Sequence, residues 1–209
     1  MGTAYKFGSA TNNVEISNAG RMKFNGTALV WDDCRVVPGS FDFPGNADPN
    51  LASWQPGGSG ATFKLYEFAP VDEVTIFVQL PHNYKEGTSL FCHVHWTPGL
   101  RGTAEDTKTV AWKADITKAG VDAAFAASAT YDMTDTCDGT NHKHLMTPEA
   151  EISGSGLIVS SMLVGRLYRD AGDSWATNTA GNLPMILEFD IHYQIDDCGS
   201  AERLTKETP

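Results

Sequence analysis

The sequence predicts an all-β protein, an antiparallel β-sandwich of jelly-roll type with an extended N-terminal arm. Three observations predict it. Apolar and polar residues alternate over many short stretches, most clearly where Met185, Leu187, Phe189, Ile191, Tyr193 and Ile195 interleave with Ile186, Glu188, Asp190, His192 and Gln194. Glycine and proline number 20 and 10 among 209 residues, a mixture suited to short strands and frequent turns. No helical crossover pattern separates the strands, so parallel pairing is not expected. With roughly eight to ten strands, two packed antiparallel sheets are the natural solution and a jelly roll their usual form. No internal repeat is visible. The organisation expected is an arm over residues 1–19, one sandwich domain over 20–198 and a polar tail over 199–209.

The elements follow in chain order. Residues 1–19 are polar and loosely patterned, so the arm is expected to order only against something else. Asn25-Gly26, between the short alternating runs 20–24 and 27–31, is a hairpin signal. Residues 31–38 continue extended, and a long loop is expected over 38–60, with four prolines (Pro38, Pro44, Pro49, Pro56) among its glycines. Thr62 to Phe68 reads as a strand. So does Glu73 to Leu80, with Val74, Ile76, Val78 and Leu80 inward and Pro81 as its stop.

Glu86 to Trp96 alternates strictly. Leu90, Cys92, Val94 and Trp96 form a core face, while Phe91, His93 and His95 point the other way, the two imidazoles roughly 7 Å apart along the strand. Lys108 to Ile116 alternates with Val110, Trp112 and Ala114 on one face. Residues 119–130 read as a short helix or a loop, and Tyr131 to Asn141 as turns. Leu157 to Arg169 reads as one long strand, because Gly154, Gly156 and Gly165 disfavour a helix. The 185–195 run closes the set.

The formal net charge is −11, and no block of Lys or Arg offsets it locally. That argues against nucleic acid or an anionic membrane as a partner, since either demands a basic surface. No apolar run reaches spanning length and no signal peptide is evident at Met1-Gly2-Thr3-Ala4-Tyr5-Lys6. Cys34, Cys92, Cys137 and Cys198 lack zinc-type spacing, so four reduced thiols are expected.

The sharpest chemical candidate is the pair His93 and His95. Gly87-x5-His93-x-His95 matches the opening of the first cupin motif, whose histidines bind a divalent metal. That motif expects a Glu four or five residues later, where this chain has Gly99 and Leu100, and no Pro-x-Gly turn precedes His192. His93, His95, Asp190 and His192 remain a ligand set of suitable type if paired strands bring them together. The plainer reading is a half-buried polar stripe, satisfied by Glu188, Asp190, Arg166 or a neighbouring subunit. Carboxylate partners would raise the imidazole pKa values and make the stripe acid-sensitive. With half of one motif present, the expectation is no bound metal, no cofactor and no catalytic residue.

His142-Lys143-His144 reads as an exposed edge or loop. Ser160 and Ser161 sit in an apolar run with no sign of a base. Trp96 and Trp112 read as core, while Trp54 and Trp175 fall in loops and suit an interface or a sugar platform.

Several segments together carry a resemblance. Lys23-Phe24-Asn25-Gly26 with Val30-Trp31-Asp32-Asp33, Gln79 to Thr88, His93-Val94-His95-Trp96, Gly165 to Asp170 and Phe189-Asp190-Ile191-His192-Tyr193 resemble a group of tailed-bacteriophage virion structural proteins, over most of residues 20–205. The resemblance implies a β-sandwich accessory protein without catalytic residues. It would be a capsid decoration (cement) protein, assembled in the host cytoplasm, acting as a homotrimer on the major capsid protein of the virion. The arm, the long loop and the symmetric use of the polar stripe fit that role. Two other classes are a receptor- or glycan-binding tail module, which needs an exposed aromatic platform, and a cupin-like metal-dependent enzyme, which needs a metal with an open position.

Overall fold

The computed structural model describes residues 4–18, 20–99, 107–175, 182–200, 202, 203, 205 and 206. Its strands are β1 (Tyr5–Gly8), β2 (Asn13–Ile16), β3 (Met22–Asn25), β4 (Val30–Val36), β5 (Asn50–Trp54), β6 (Phe63–Glu67), β7 (Glu73–Gln79), β8 (Leu90–Pro98), β9 (Thr109–Val110), β10 (Trp112–Ala119), β11 (Ala129–Asp132), β12 (Asp135–Thr136), β13 (Leu145–Met146), β14 (Ala150–Ile152), β15 (Met162–Arg169) and β16 (Pro184–Ile195). The expected all-β antiparallel architecture is present.

Two sheets form the sandwich. In the first, β16 lies between β4 and β8, and β14 and β13 pair with the far side of β8. In the second the order is β11-β10-β15-β7. Following the chain, β4, β8, β14 and β16 belong to the first sheet and β7, β10, β11 and β15 to the second. This interleaving is the strand order of a jelly roll. The β5–β6 hairpin extends the first sheet beside the start of β16.

The core lies between the sheets. Leu90, Cys92, Val94 and Trp96 of β8 are buried, as expected, against Val74, Ile76, Trp112, Ala114, Ile116 and Leu167 of the second sheet. Phe68 meets Trp112 edge-to-face at 5.1 Å between ring centres. Gly165 lets the second sheet close: a Cβ there would lie 3.0 Å from Ile116 and 3.2 Å from Ile76. Arg169 is buried yet satisfied, with bonds of 2.7 and 3.0 Å to Asp173 and 2.9 Å to the carbonyl of Phe68.

Four expectations need correction. The 1–19 arm is not a loose segment over its described residues. β2 pairs with β1 on one side and with β3 on the other in a three-stranded meander, so the boundary at residue 19 cuts through a sheet. The Asn25-Gly26 turn is real, with Gly26 at φ 69°, but it joins two different sheets rather than two strands of a hairpin. Glycine is required there because a Cβ would stand 2.1 Å from the Thr11 carbonyl oxygen. The 38–60 loop contains β5 and short 3₁₀ turns at Pro38–Ser40 and Pro56–Gly58. The predicted strand over 157–169 begins only at Met162. Of the 199–209 tail, residues 201, 204 and 207–209 lie outside the described residues.

Candidate functional site

The polar stripe lies on the outer face of the first sheet, and a bulge places it there. Ile186 pairs with Trp96 and Glu188 with His95, so Leu187 is an extra residue in β16. Such an insertion shifts the two-residue phase of a strand. Ile186 faces the core before it. After it Phe189, Ile191 and Tyr193 do so, while Glu188, Asp190 and His192 turn outward. Across the ladder Asp190 faces His93 on one side and Arg35 on the other, and His192 faces Phe91 and Asp33.

The geometry is dense. The Nε2 atoms of His93 and His95 are 3.0 Å apart, and Asp190 Oδ2 is 3.8 Å from each. The His93 and His192 rings stand 4.5 Å apart, centre to centre. Ligand atoms of His93, Asp190 and His192 all lie within 4.8 Å of one another. Around this centre sits a second ring of partners. His95 Nδ1 is 2.7 Å from His144 Nε2, His192 Nδ1 is 2.6 Å from Glu149 Oε1, and His192 Nε2 is 3.2 Å from Asp33 Oδ1. Arg35 clamps Glu188 with bonds of 2.5 and 2.6 Å.

His93 is wholly buried and Asp190 is 5% exposed. Burial pulls the His93 imidazole down to about 4, and the neighbouring His192 and His95 act in the same direction. His95 is lowered too, by burial and then by His144. Burial, then the charge of Asp33, pushes Asp190 up to about 6. The expectation of raised imidazole pKa values therefore fails for His93 and His95, because desolvation outweighs the carboxylates. At neutral pH these rings hold lone pairs, the form that ligates metals.

The sequence named His93, His95, Glu188, Asp190 and His192, and the structure brings all five onto one face. It does not bring Arg166, which sits on the second sheet with Glu73 and Asp115. Asp33, Arg35, His144 and Glu149 were not foreseen in the cluster. The alternation of Trp31, Asp33 and Arg35 along β4 was the available signal for two of them. His144, read as an exposed loop residue, reaches the site through its bond to His95. The tryptophan platform does not form. Trp175 is buried against Trp96 at 6.1 Å, whereas Trp54 lies half-buried on β5 beside Phe63. A Ser–His contact occurs elsewhere, with Ser160 Oγ 3.4 Å from His82 Nε2, but the other nitrogen of that ring meets the Ser200 hydroxyl instead of a carboxylate.

No protein-family model matches the chain, and no curated protein matches it. Solved structures show distant likenesses. A chain in the structure of infectious bursal disease virus, Gx strain, is 10% identical with a TM-score of 0.34, covering 91% of this chain and 40% of that one. The corresponding Gt-strain chain is 10% identical with a TM-score of 0.32, covering 91% and 43%. This chain thus spans about two fifths of the length of either. The stem and receptor-binding domain of the spike protein P1 from bacteriophage PM2 is 11% identical with a TM-score of 0.27, covering 79% of this chain and 96% of that one. TM-scores this low fall below those of proteins that share a fold.

Proposed function

We propose that this protein is a non-enzymatic virion structural protein, a capsid decoration protein that binds the major capsid protein of a phage head as a homotrimer. The observation that carries the reading is the β1–β2–β3 sheet. Its register puts Tyr5, Ile16 and Met22 in one row and Phe7, Val14 and Phe24 in the next, all on one face. Lys6, Glu15 and Lys23 occupy the other face, with a Lys6–Glu15 ion pair at 3.0 Å. Tyr5 is 73% and Phe7 64% exposed, so the apolar face is open at its outer strand.

The meander is hooked to the body through a hydrogen bond from Phe24 N–H to the Asp196 carbonyl and an Arg21–Asp197 ion pair at 2.9 Å. A small sheet with one apolar face and an unpaired edge strand is a docking element. The acidic net charge and the resemblance described above direct it to a protein shell. Jelly rolls recur among capsid proteins, which fits the role.

The test uses the full chain and heads lacking it. Tyr5→Ser with Phe7→Ser removes two aromatic anchors and is expected to weaken head binding about 100-fold. Light scattering is expected to give about three times 22.6 kDa for parent and variant alike. Undiminished binding by the variant overturns the docking assignment. A monomeric variant would make this face the subunit interface instead, and a monomeric parent would remove the trimer.

A further inference from the structure

We propose that His93, His95, Asp190 and His192 bind one divalent transition-metal ion of zinc type on the outer face of the first sheet. The distances carry the argument. His93 Nε2, His95 Nε2 and Asp190 Oδ2 form a triangle with sides of 3.0, 3.8 and 3.8 Å. The point equidistant from its corners lies about 2.1 Å from each, the length of a zinc bond to imidazole or carboxylate. Contacts of 3.8 Å are too long for hydrogen bonds, so Asp190 Oδ2 faces both imidazoles without bonding either, and the 3.0 Å His93–His95 contact is the hydrogen bond within the triangle.

The partners fit the same reading. His95 Nδ1 and His192 Nδ1 are engaged by His144 and Glu149, at 2.7 and 2.6 Å. Donation outward from each Nδ1 leaves the lone pair on Nε2, the tautomer a ligand needs. His192 Nε2 lies 3.2 Å from Asp33 Oδ1, so that ring faces the site between two carboxylates. Among the described residues, buried Asp190 Oδ1 and His93 Nδ1 have no hydrogen-bond partner. Arg35, the register neighbour of Asp190, is turned to Glu188. A buried carboxylate with one oxygen unpartnered and its guanidinium neighbour turned away is a place for a positive charge, and a divalent ion at the triangle's centre supplies it.

Three nitrogens and one oxygen suit zinc and the neighbouring first-row ions, not calcium or magnesium. This departs from the expectation drawn from the missing acidic residue after His95. Asp190 supplies that carboxylate from the adjacent strand, where spacing along one strand cannot show it. The proposal is independent of capsid binding. Its consequence is a cross-strand rivet between β8 and β16.

The experiment takes the full untagged chain, stripped with a chelator, and titrates it with Zn²⁺ and with Co²⁺ as a coloured probe. One equivalent per chain is expected, with four-coordinate Co²⁺ bands. The thermal midpoint should rise by about 5 °C or more at a hundredfold excess of Zn²⁺ over Kd. His95→Ala and Asp190→Asn are each expected to weaken binding by at least about 100-fold. Glu149→Gln, acting only through His192, should cost about tenfold. Failure of the parent to take up either ion overturns the proposal, whether or not the variants fold. So does uptake that His95→Ala and Asp190→Asn leave intact, or uptake abolished by His142→Ala, which would place the ion on the 142–144 turn.

Discussion

The outer faces of the two sheets carry polar residues under opposite conditions. On the second sheet, Arg166 reaches Glu73 and Asp115 at 2.8 Å each and lies 4.2 Å over the Tyr168 ring. Lys113 meets Asp170 at 3.1 Å. These are half-exposed, opposite-charge pairs, inexpensive to keep and worth little. On the first sheet the His144 and Glu149 side chains, from the segment paired along the edge of β8, reach onto the stripe and bond His95 and His192. There His93 is wholly buried and two polar atoms go unpaired. An outward-facing side chain is therefore not the same thing as a solvated one. Where packed neighbours remove the water, each unpaired polar group costs free energy.

The bulge that creates this contrast is the first place to break it. An alanine inserted between Glu188 and Phe189, one residue past the bulge, would shift the phase of β16 once more against β8, and one residue of slip exchanges the faces of everything beyond it. Phe189, Ile191 and Tyr193 would turn outward and Asp190 and His192 into the core. The expected result is loss of cooperative unfolding in a denaturant titration. A soluble insertion variant with a parent-like midpoint would mean that the phase is fixed elsewhere. A milder change tests the faces against each other in the presence of chelator. Asp190→Leu replaces a buried carboxylate with one unpartnered oxygen by an apolar side chain and is expected to stabilise by about 1–2 kcal/mol. Asp115→Ala on the second sheet should destabilise by less than about 1 kcal/mol. Equal and small losses for both would show that the two faces are physically alike.

Much of this fold is legible in the sequence, and the illegible parts share a cause. β7, the core face of β8 and the second half of β16 are evident because one side is dry and period two then governs residue choice. The bulge is hidden because Leu187 is apolar and continues the alternation that it interrupts in space. β1 and β2 are four residues each, too short for Tyr5, Phe7, Val14 and Ile16 to stand out among polar neighbours. The Asn25-Gly26 signal reports a turn truthfully but says nothing about which strands it joins. The stripe of His93, His95, Asp190 and His192 could be foreseen from two strands alone. His144 and Glu149 could not, because they arrive through pairings of β13 and β14 with β8, distant in sequence.

The smallest effect concerns the inner face of the same sheet and leaves stability untouched. Cys34, Ile191 and Cys92 form one row across β4, β16 and β8, directly behind the polar stripe. Burial pushes both thiols up to about 12, and the Asp190 charge adds to the rise at Cys34. Cys137 is also buried, Cys198 is exposed just beyond β16, and none of the four is bridged. Only a thiolate attacks a disulfide reagent, so raised pKa and poor access act together. At pH 8 the folded protein should show one fast thiol, lost in Cys198→Ser. The other three should react only at the rate of unfolding, and a denatured, non-reduced sample should titrate four. Four fast thiols in the native state would mean that water and reagent reach the inner face as freely as the edge. The inner face of the first sheet would then be no drier than the solvated outer face of the second.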